Sequence, residues 1–391
     1  MKRLILWLAL GFALPCLAQG SPPAYYTDAV ALEPRQVRGM LPGHEHHQWL
    51  EKDIKLNSGK TSYTIKNSAC NDKAHPGVSY HYEGYIGMPA PSSCNWYHRG
   101  FMFIAINGKD LGSTPLADFS VLEKTPQALC QMVWDEPEAT VYVRFMQLPG
   151  DDMLRCRLHW TPKADKKVEA VQLKLVCYPS FFTNKPEHGP DRILVTPRLT
   201  AHHRDAKDKI PLQADEDAYV FYADTVYDVA NGKGVGPCAM VFAPDQLLKG
   251  DVTLSSYAIN TVLDMNPALG QADLMFWDFN RQTNANALEQ LQDSASCQRA
   301  NMTAVSFEAT ALQNFNPEFF TCELGGLLVR AKEDGIARQP KLTQSLNRLI
   351  AIKQRADAGD PLACGDFASE YDAFILDFTR LKIEALLNSP E

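Results

Sequence analysis

The stretch Phe101-Met-Phe-Ile-Ala-Ile106-Asn107-Gly108 indicates a β-strand that ends in a tight turn. Branched and aromatic residues favour strands, and Asn-Gly adopts the left-handed backbone that a two-residue hairpin turn needs. Similar segments recur between about residues 60 and 312, separated by Gly, Pro, Asn and Asp. The further candidates are Val78–Ile86, Thr140–Met146, Leu154–Trp160, Val168–Tyr178, Tyr219–Tyr222, Cys238–Phe242, Val252–Leu263, Ala272–Phe279 and Thr303–Leu312. About a dozen strands without regular helical interruption favour antiparallel sheets packed face to face.

The segments Leu154–Trp160 and Val168–Tyr178 flank a short polar loop. We expect them to form a hairpin that places Cys156 roughly opposite Cys177. Cleavage of the first eighteen residues would leave nine cysteines, an odd number, so at least one thiol should stay unpaired. The two pairings that are local in sequence are Cys156 with Cys177 and Cys70 with Cys94, and spacing alone does not choose between them.

The pattern becomes helical towards the C-terminus. Asn316-Pro317-Glu318 combines a capping residue, a proline at the first helical position and an acid in the first turn. Three apolar stripes with helical spacing follow, and we expect them to pack in the core. Their residues are Phe320, Leu324, Leu327, Leu328 and Ala331, then Leu342, Leu346, Leu349 and Ile350, then Phe367, Tyr371, Phe374, Ile375, Phe378 and Leu381.

The predicted fold is therefore mainly β, a large antiparallel β-sandwich of two packed sheets with a three-helix C-terminal segment. We divide the chain into a signal peptide (residues 1–18), an N-terminal extension (19–49), a β-sandwich domain (50–312) and a helical segment (313–391). The signal peptide is indicated by Lys2 and Arg3, the apolar run from Leu4 to Leu17 and the small residue Ala18. Because this run is too short to span a bilayer, we expect cleavage near Ala18 and a periplasmic or secreted protein without a transmembrane segment.

The charge of the chain argues against nucleic acid as a partner. The formal net charge is −8, and removal of Lys2 and Arg3 with the signal peptide would make it −10. Phosphate backbones attract basic surfaces, and no Lys/Arg-rich stretch stands out. No motif in the sequence fixes a reaction, so whether the protein is an enzyme stays open.

The ten histidines all lie between His44 and His203. In the densest cluster, Gly43-His44-Glu45-His46-His47, a His-x-His pair in extended chain would place two rings on one side, within reach of one divalent metal ion. We therefore name His44, His46 and His47 as candidate metal ligands, with a solvated loop as the alternative. The sequence specifies no other cofactor.

The segment Asn95-Trp96-Tyr97-His98-Arg99, between two predicted strands, carries the residue types that bind carbohydrate. Aromatic rings pack on the C–H faces of sugars, and Asn and Arg donate to hydroxyl or carboxylate groups. Asn95, Trp96 and Arg99 are thus candidate ligand contacts. With an acidic sugar, Arg99 would hold the carboxylate while His98 or Tyr97 takes the adjacent proton, which is a β-elimination. The alternative is that Trp96 and Tyr97 cover the core.

Asp278 and Arg281 complete the candidate ligand-binding set. They follow Trp277 at the end of a segment in which aromatic and polar residues alternate, and core packing explains most of that pattern. An enzyme would need a groove in which the Asn95–Arg99 segment meets His81, His188 or Asp278.

Export, a large β scaffold and clusters of aromatic and polar residues together favour a protein that recognises a carbohydrate or glycan, with or without processing of it. One alternative is a non-enzymatic cell-envelope assembly protein that binds a protein partner through exposed apolar faces of its C-terminal helices. A second alternative is a polysaccharide lyase that acts on an acidic glycan.

Overall fold

A computed structural model describes residues 25–38, 48–72, 81–182, 191–205, 209–214, 216–228, 230–330 and 333–387. The strands are β1 (Asp28–Ala31), β2 (Arg35–Arg38), β3 (Gln48–Asn57), β4 (Ser62–Asp72), β5 (His81–Ala90), β6 (Met102–Ile106), β7 (Lys109–Asp110), β8 (Asp118–Glu123), β9 (Ala128–Asp135), β10 (Ala139–Gln147), β11 (Met153–Pro162), β12 (Val171–Cys177), β13 (Arg192–Val195), β14 (Thr200–His202), β15 (Ile210–Leu212), β16 (Tyr219–Asp224), β17 (Cys238–Phe242), β18 (Leu247–Leu254), β19 (Ile259–Met265) and β20 (Gln271–Asp278). The helices are α1 (Asn284–Met302), α2 (Thr310–Gln313), α3 (Pro317–Arg330), α4 (Glu333–Asp357) and α5 (Pro361–Leu387).

The strands form two large antiparallel sheets that pack as a sandwich. Sheet A has eleven strands in the order β1-β3-β4-β5-β6-β12-β19-β18-β15, with β2 beside β3 and β7 beside β6. Sheet B has nine strands in the order β14-β13-β16-β17-β20-β11-β10-β9-β8. Apolar residues from both inner faces form one shared core. The expectation of a mainly β protein with two packed antiparallel sheets is confirmed.

The helices cover the outer face of sheet B. Helix α1 packs on β16, β17 and β20, and helices α2 to α5 enclose a second apolar cluster with β8, β9 and β10. Sheet B is therefore buried on both faces, which explains why β9 and β17 are apolar or buried at nearly every position. The described residues contain five helices rather than three, because α1 and α2 precede the three predicted C-terminal ones.

Several strand predictions are confirmed at the level of single residues. Asn107 and Gly108 both have positive φ angles and form the turn between β6 and β7. Asn316 caps α3, since its side chain accepts a hydrogen bond from the backbone N–H of Phe319. The segment Val252–Leu263 is in fact a hairpin, because β18 ends at Leu254 and Ser255 caps the turn to β19. The strand predicted at Thr303–Leu312 is absent, and this segment contains α2 instead.

The predicted hairpin of β11 and β12 is also wrong. Strand β11 pairs with β10 and β20 in sheet B, whereas β12 pairs with β6 and β19 in sheet A. The eight-residue connection crosses from one sheet to the other, which the alternation of the strands cannot reveal because both sheets show the same inward pattern. Cys156 and Cys177 therefore do not lie opposite each other. Cys94, Cys156 and Cys177 are thiols, so neither of the two pairings that are local in sequence is formed in the described structure.

Where their side chains are described, the apolar stripes of the C-terminal helices are buried, or partly buried at Ile350, Tyr371 and Ile375. Residues of α3, α4 and α5 pack against each other and against sheet B. The apolar stripes that the assembly alternative required are therefore largely covered. Four aliphatic residues of α5 stay exposed, namely Leu376, Ile383, Leu386 and Leu387. Within the described parts of the chain, no helix is long and apolar enough to cross a membrane.

The packing of α5 on sheet B predicts different costs for two aromatic truncations. Phe367 is buried between Phe315 and Tyr371, whereas Phe319 is half exposed on α3. We expect Phe367→Ala to lower the free energy of unfolding by about 3 kcal/mol because it leaves a cavity, and Phe319→Ala to change it by less than about 1 kcal/mol. Urea unfolding followed by circular dichroism measures both. Equal effects of the two substitutions would contradict this arrangement of the helices.

Candidate functional site

The outer face of sheet A carries charged and aromatic side chains, and no described helix covers it. The registers place Ile54, Ile65 and Ile86 on the inner face, so their neighbours in the strands point outwards. The outward residues include Trp49, Glu51, Asp53, Lys66, Ser68, Tyr85, Phe103, Lys174 and Asn260. Trp49 stacks on Tyr85 at 5.6 Å between ring centroids. Polar and aromatic residues on an open sheet face are typical of a binding surface.

Five rings gather where β12 leaves this face. Tyr97, His98, Tyr178, Phe182 and Tyr257 form what we call the aromatic patch. Tyr97 and Phe182 each contact Tyr178, at 5.1 and 4.9 Å between centroids, and Tyr257 contacts it at 4.8 Å. His98 lies against Tyr97 and Phe182. Phe182 is 38% exposed and Tyr257 46%, so the patch presents ring surface to solvent.

A second group on the same face, which we call the charged cluster, consists of Arg35, Glu51, Asp53 and Lys66. Lys66 Nζ lies 2.6 Å from Glu51 Oε2, and one Arg35 nitrogen contacts both carboxylates at 3.0 and 2.9 Å. Glu51, Asp53 and Lys66 are buried although they belong to the outer face. Asp53 Oδ1 finds no hydrogen-bond partner among the described residues. Burial is the largest influence on the Asp53 carboxyl and raises its pKa.

The aromatic patch and the charged cluster are neighbours because the backbone at His98 lies directly against the backbone of β5. Lys66 pairs with Gly87 across β4 and β5, and the carbonyl oxygen of His98 lies directly over Gly87. A Cβ atom at Gly87 would lie 2.1 Å from that oxygen, so only glycine allows the approach. Lys66 and Glu51 are near enough to influence the charge state of the His98 ring.

The segment that carries Tyr97 and His98 is held from below by a buried carboxylate. Asp278, at the end of β20, accepts hydrogen bonds from Ser92 Oγ at 2.5 Å and from Asn95 Nδ2 at 3.0 Å. The Asn95 amide also donates to Pro237 O and accepts from the Ser180 N–H. Burial raises the pKa of Asp278 to about 6, against the effect of its two side-chain donors.

A buried arginine holds the other side of the patch. Arg192, on β13, forms an ion pair with Asp224 at 3.0 Å. Its guanidinium also donates to the carbonyl oxygens of Pro179, Phe181 and Tyr257. One fully buried side chain thus fixes the backbones from which Tyr178, Phe182 and Tyr257 project.

The three predicted catalytic residues lie together on the surface of this region. The Nδ1 of His98 is 2.8 Å from the carbonyl oxygen of Ser93, which can only accept, so Nδ1 carries a proton and Nε2 is the basic nitrogen of the neutral ring. Burial lowers the pKa of His98 and raises that of Tyr97. At neutral pH the site therefore offers a neutral imidazole and a protonated phenol beside the cation of Arg99.

The predicted ligand contacts separate into two groups. Trp96 is fully buried, packs on Phe101, Tyr222 and Phe276, and donates to the carbonyl oxygen of Trp277, so it belongs to the core and offers no face to a sugar. Asn95 and Asp278 are also buried and position the segment instead of touching a ligand. These expectations are corrected. Arg99 is half buried at the surface and Arg281 is exposed, so both stay in the proposed ligand-binding set.

The predicted metal ligands His44, His46 and His47 lie outside the described residues, as does His188. Elsewhere, His202 and His203 both contact the carboxylate of Asp191 through Nδ1, at 2.6 and 3.2 Å. The described part of the chain contains no group of three side chains placed to hold a metal ion.

Sequence reasoning missed Tyr178, Phe182, Tyr257 and the charged cluster. Glu51 and Asp53 are two residues apart, which places them on one face of a strand. That Lys66 pairs with Asp53 follows only from the register of β3 and β4. The three rings come from two distant loops, and no local pattern connects them.

Comparison with known proteins assigns no family. No family model matches the sequence, and no curated protein does. Among solved structures, a Klebsiella pneumoniae subsp. pneumoniae MGH 78578 protein assigned as an aldose 1-epimerase aligns with a TM-score of 0.37 and 12% identity, over 70% of this chain and 96% of that one. A TPR-domain containing protein from Parabacteroides distasonis ATCC 8503 aligns with a TM-score of 0.38 and 9% identity, over 66% of this chain and 56% of that one. Likenesses this weak identify neither a family nor an activity.

The raised pKa of Asp278 predicts a pH dependence of stability. The folded protein holds this proton more tightly than the unfolded chain, whose carboxyl has a pKa near 3.8. Stability from this group is therefore greatest at low pH and falls as the pH rises through 4 to 6. Between pH 4 and 7, the free energy of unfolding of wild type should fall by on the order of 2 kcal/mol relative to that of Asp278→Asn, because the asparagine side chain does not titrate. Urea unfolding across this range measures the difference, and parallel pH profiles would contradict it.

Proposed function

We propose that this protein binds a carbohydrate on the outer face of sheet A, through the aromatic patch. The observation that carries the proposal is the convergence of five rings, two of them substantially exposed, on the sheet face that no described helix covers. Exposed rings on a rigid base bury the C–H faces of sugars at little entropic cost. Arg99 and the charged cluster supply hydrogen-bonding groups beside the rings.

The surroundings of the patch support a preformed site. Buried hydrogen bonds of Asn95 and Arg192 hold the segments that carry the rings, so binding does not have to order them. The predicted signal peptide makes the periplasm or the cell exterior the proposed location, where polysaccharides are accessible to a soluble chain.

Removal of the two most exposed rings tests the proposal. We expect wild type to be retarded in native gels that contain its polysaccharide, and the double variant Phe182→Ala/Tyr257→Ala to lose at least about tenfold in affinity because two ring contacts disappear. The gels contain neutral and acidic polysaccharides in parallel lanes. Phe319→Ala is the matched control, since Phe319 is a similarly exposed ring on α3, over the other sheet.

Circular dichroism spectra that match wild type confirm that each variant is folded. Equal retardation of wild type and double variant would place binding elsewhere, and a wild type that no polymer retards would contradict polysaccharide recognition.

A polysaccharide lyase is a second candidate, favoured by the orientation of His98. β-Elimination from an acidic sugar needs a cation for the carboxylate, a base for the proton next to it and an acid for the leaving oxygen. Arg99, the free Nε2 of neutral His98 and the protonated hydroxyl of Tyr97 fit these three roles. The lowered pKa of His98 keeps the ring neutral at the pH where an ordinary histidine is partly charged.

This reading predicts that His98→Gln abolishes cleavage but only weakens gel retardation, because the other four rings of the patch remain. The absorbance of the unsaturated sugar formed by elimination measures cleavage. The rate of wild type should fall only when the pH drops below the usual histidine range near 6.5, because protonation removes the base. A His98→Gln variant that still cleaves, or a rate that is already low at pH 6.5 and rises only above it, would exclude His98 as the base.

A further inference from the structure

Two buried thiols lie in the core between the sheets, beneath the aromatic patch. Cys177 ends β12 in sheet A and Cys238 begins β17 in sheet B, and both are essentially inaccessible to solvent. Cys238 Sγ lies 3.9 Å from the carbonyl oxygen of Asn95, and the next residue, Trp96, is the backbone partner of Cys177. Cys177 is near enough to influence the ionisation of the Cys238 thiol. Tyr222, which pairs with Cys238, is near both thiols.

We propose that Cys177 and Cys238 are a modification site that forms a disulfide bond across the sandwich when the chain folds in an oxidising compartment. Inter-sheet disulfides occur in other sandwiches, where a buried Trp packs against the bond. Trp96 has the corresponding place here, since it is bridged to Cys177 through the backbone. The proposal rests on the expected export of the chain and is independent of the ligand.

The oxidant is a disulfide of another molecule, such as oxidised glutathione or the active-site disulfide of a thiol oxidase. The thiolate of one cysteine attacks a sulfur of this disulfide, which breaks and releases one thiolate. The thiolate of the other cysteine then attacks the mixed disulfide and releases the second. The pair loses two electrons and two protons, and the oxidant becomes two thiols. Because burial raises the pKa of Cys238, the exchange takes place before the sandwich closes.

The other cysteines are poorer partners. Cys130 and Cys156 both lie opposite Phe145, one on each neighbouring strand. Two strand spacings separate them by roughly 10 Å, more than a disulfide spans. Cys297 and Cys322 are exposed on α1 and α3.

Cys94 is the one close competitor among the described cysteines, since it lies near enough to Cys238 to influence its ionisation. The assignment to Cys177 rests on its larger influence on the Cys238 thiol and on its backbone bridge to Trp96, beside the Asn95 carbonyl that Cys238 contacts.

The bond would lie directly under the segment that carries the patch. Cys238 Sγ is 3.9 Å from the carbonyl oxygen of Asn95, and Cys177 is the backbone partner of Trp96. Cross-linking these positions closes a loop of about 60 residues, which restricts the unfolded chain. We therefore expect the oxidised protein to have a Tm higher than the reduced protein by about 5 °C.

The test uses the full chain, unfolded with a reductant and refolded with reduced and oxidised glutathione. Free thiols are alkylated in denaturant without reductant, and the protein is digested and mapped by mass spectrometry. We expect two fewer alkyl groups than in a reduced sample, and a cross-linked peptide pair that contains Cys177 and Cys238. The control variant Cys297→Ala should keep the cross-link, and Cys177→Ala should lose it. If the protein does not refold in vitro, the same alkylation and peptide mapping are carried out on protein recovered from a bacterial periplasm.

If all cysteines of the refolded protein and of the periplasmic protein are alkylated in denaturant without reductant, the proposal is overturned. A cross-link from Cys238 to Cys94 instead of Cys177 would overturn the assignment of the pair.

Discussion

The side-chain amide of Asn95 is the junction on which the candidate site depends. It is fully buried, yet its nitrogen donates to Asp278 and to Pro237 O while its oxygen accepts from the Ser180 N–H. A buried amide that loses such partners costs about 1–3 kcal/mol for each unsatisfied group, so the three segments hold their positions together. The end of β20, the turn after β12 and the segment that carries Tyr97 therefore form one rigid unit.

The difference between the two sheets decides where a ligand has access. The outer face of sheet B includes apolar residues such as Met146, Met275 and Trp277 that are unfavourable in water, and helices α1 to α5 cover them. The outer face of sheet A is stable in water because its strands carry charged and polar residues there, and no described helix lies on it. The helical segment thus completes the core, which leaves recognition to the opposite side of the sandwich.

The fold was largely predictable from the sequence, whereas the site was predictable only in part. Strand alternation and the Asn107-Gly108 turn are local signals, and they identified the sandwich. The assignment of β11 and β12 to different sheets depends on which core faces meet, and this is a property of the whole chain. The sequence also identified the segment at Trp96 as a candidate site. It did not show that the Trp96 ring points into the core while Tyr97 and His98 lie at the surface, because this too depends on distant parts of the chain. An isolated bridge to Cys177 sets that orientation, and this contact is non-local.

The charged cluster is the feature that core packing explains least. Buried ion pairs add little net stability, because desolvation offsets their attraction, and apolar residues of similar size would serve a purely structural role at least as well. Glu51, Asp53 and Lys66 are nevertheless buried on the accessible sheet, and one carboxylate oxygen of Asp53 has no hydrogen-bond partner among the described residues. Groups of this kind concentrate at functional sites, where a fixed charge acts on a neighbour. Here that neighbour is His98, whose pKa is lowered mainly by burial, while Lys66 and Glu51 act on it more weakly and in opposite directions. This supports a single site that combines the aromatic patch with the charged cluster.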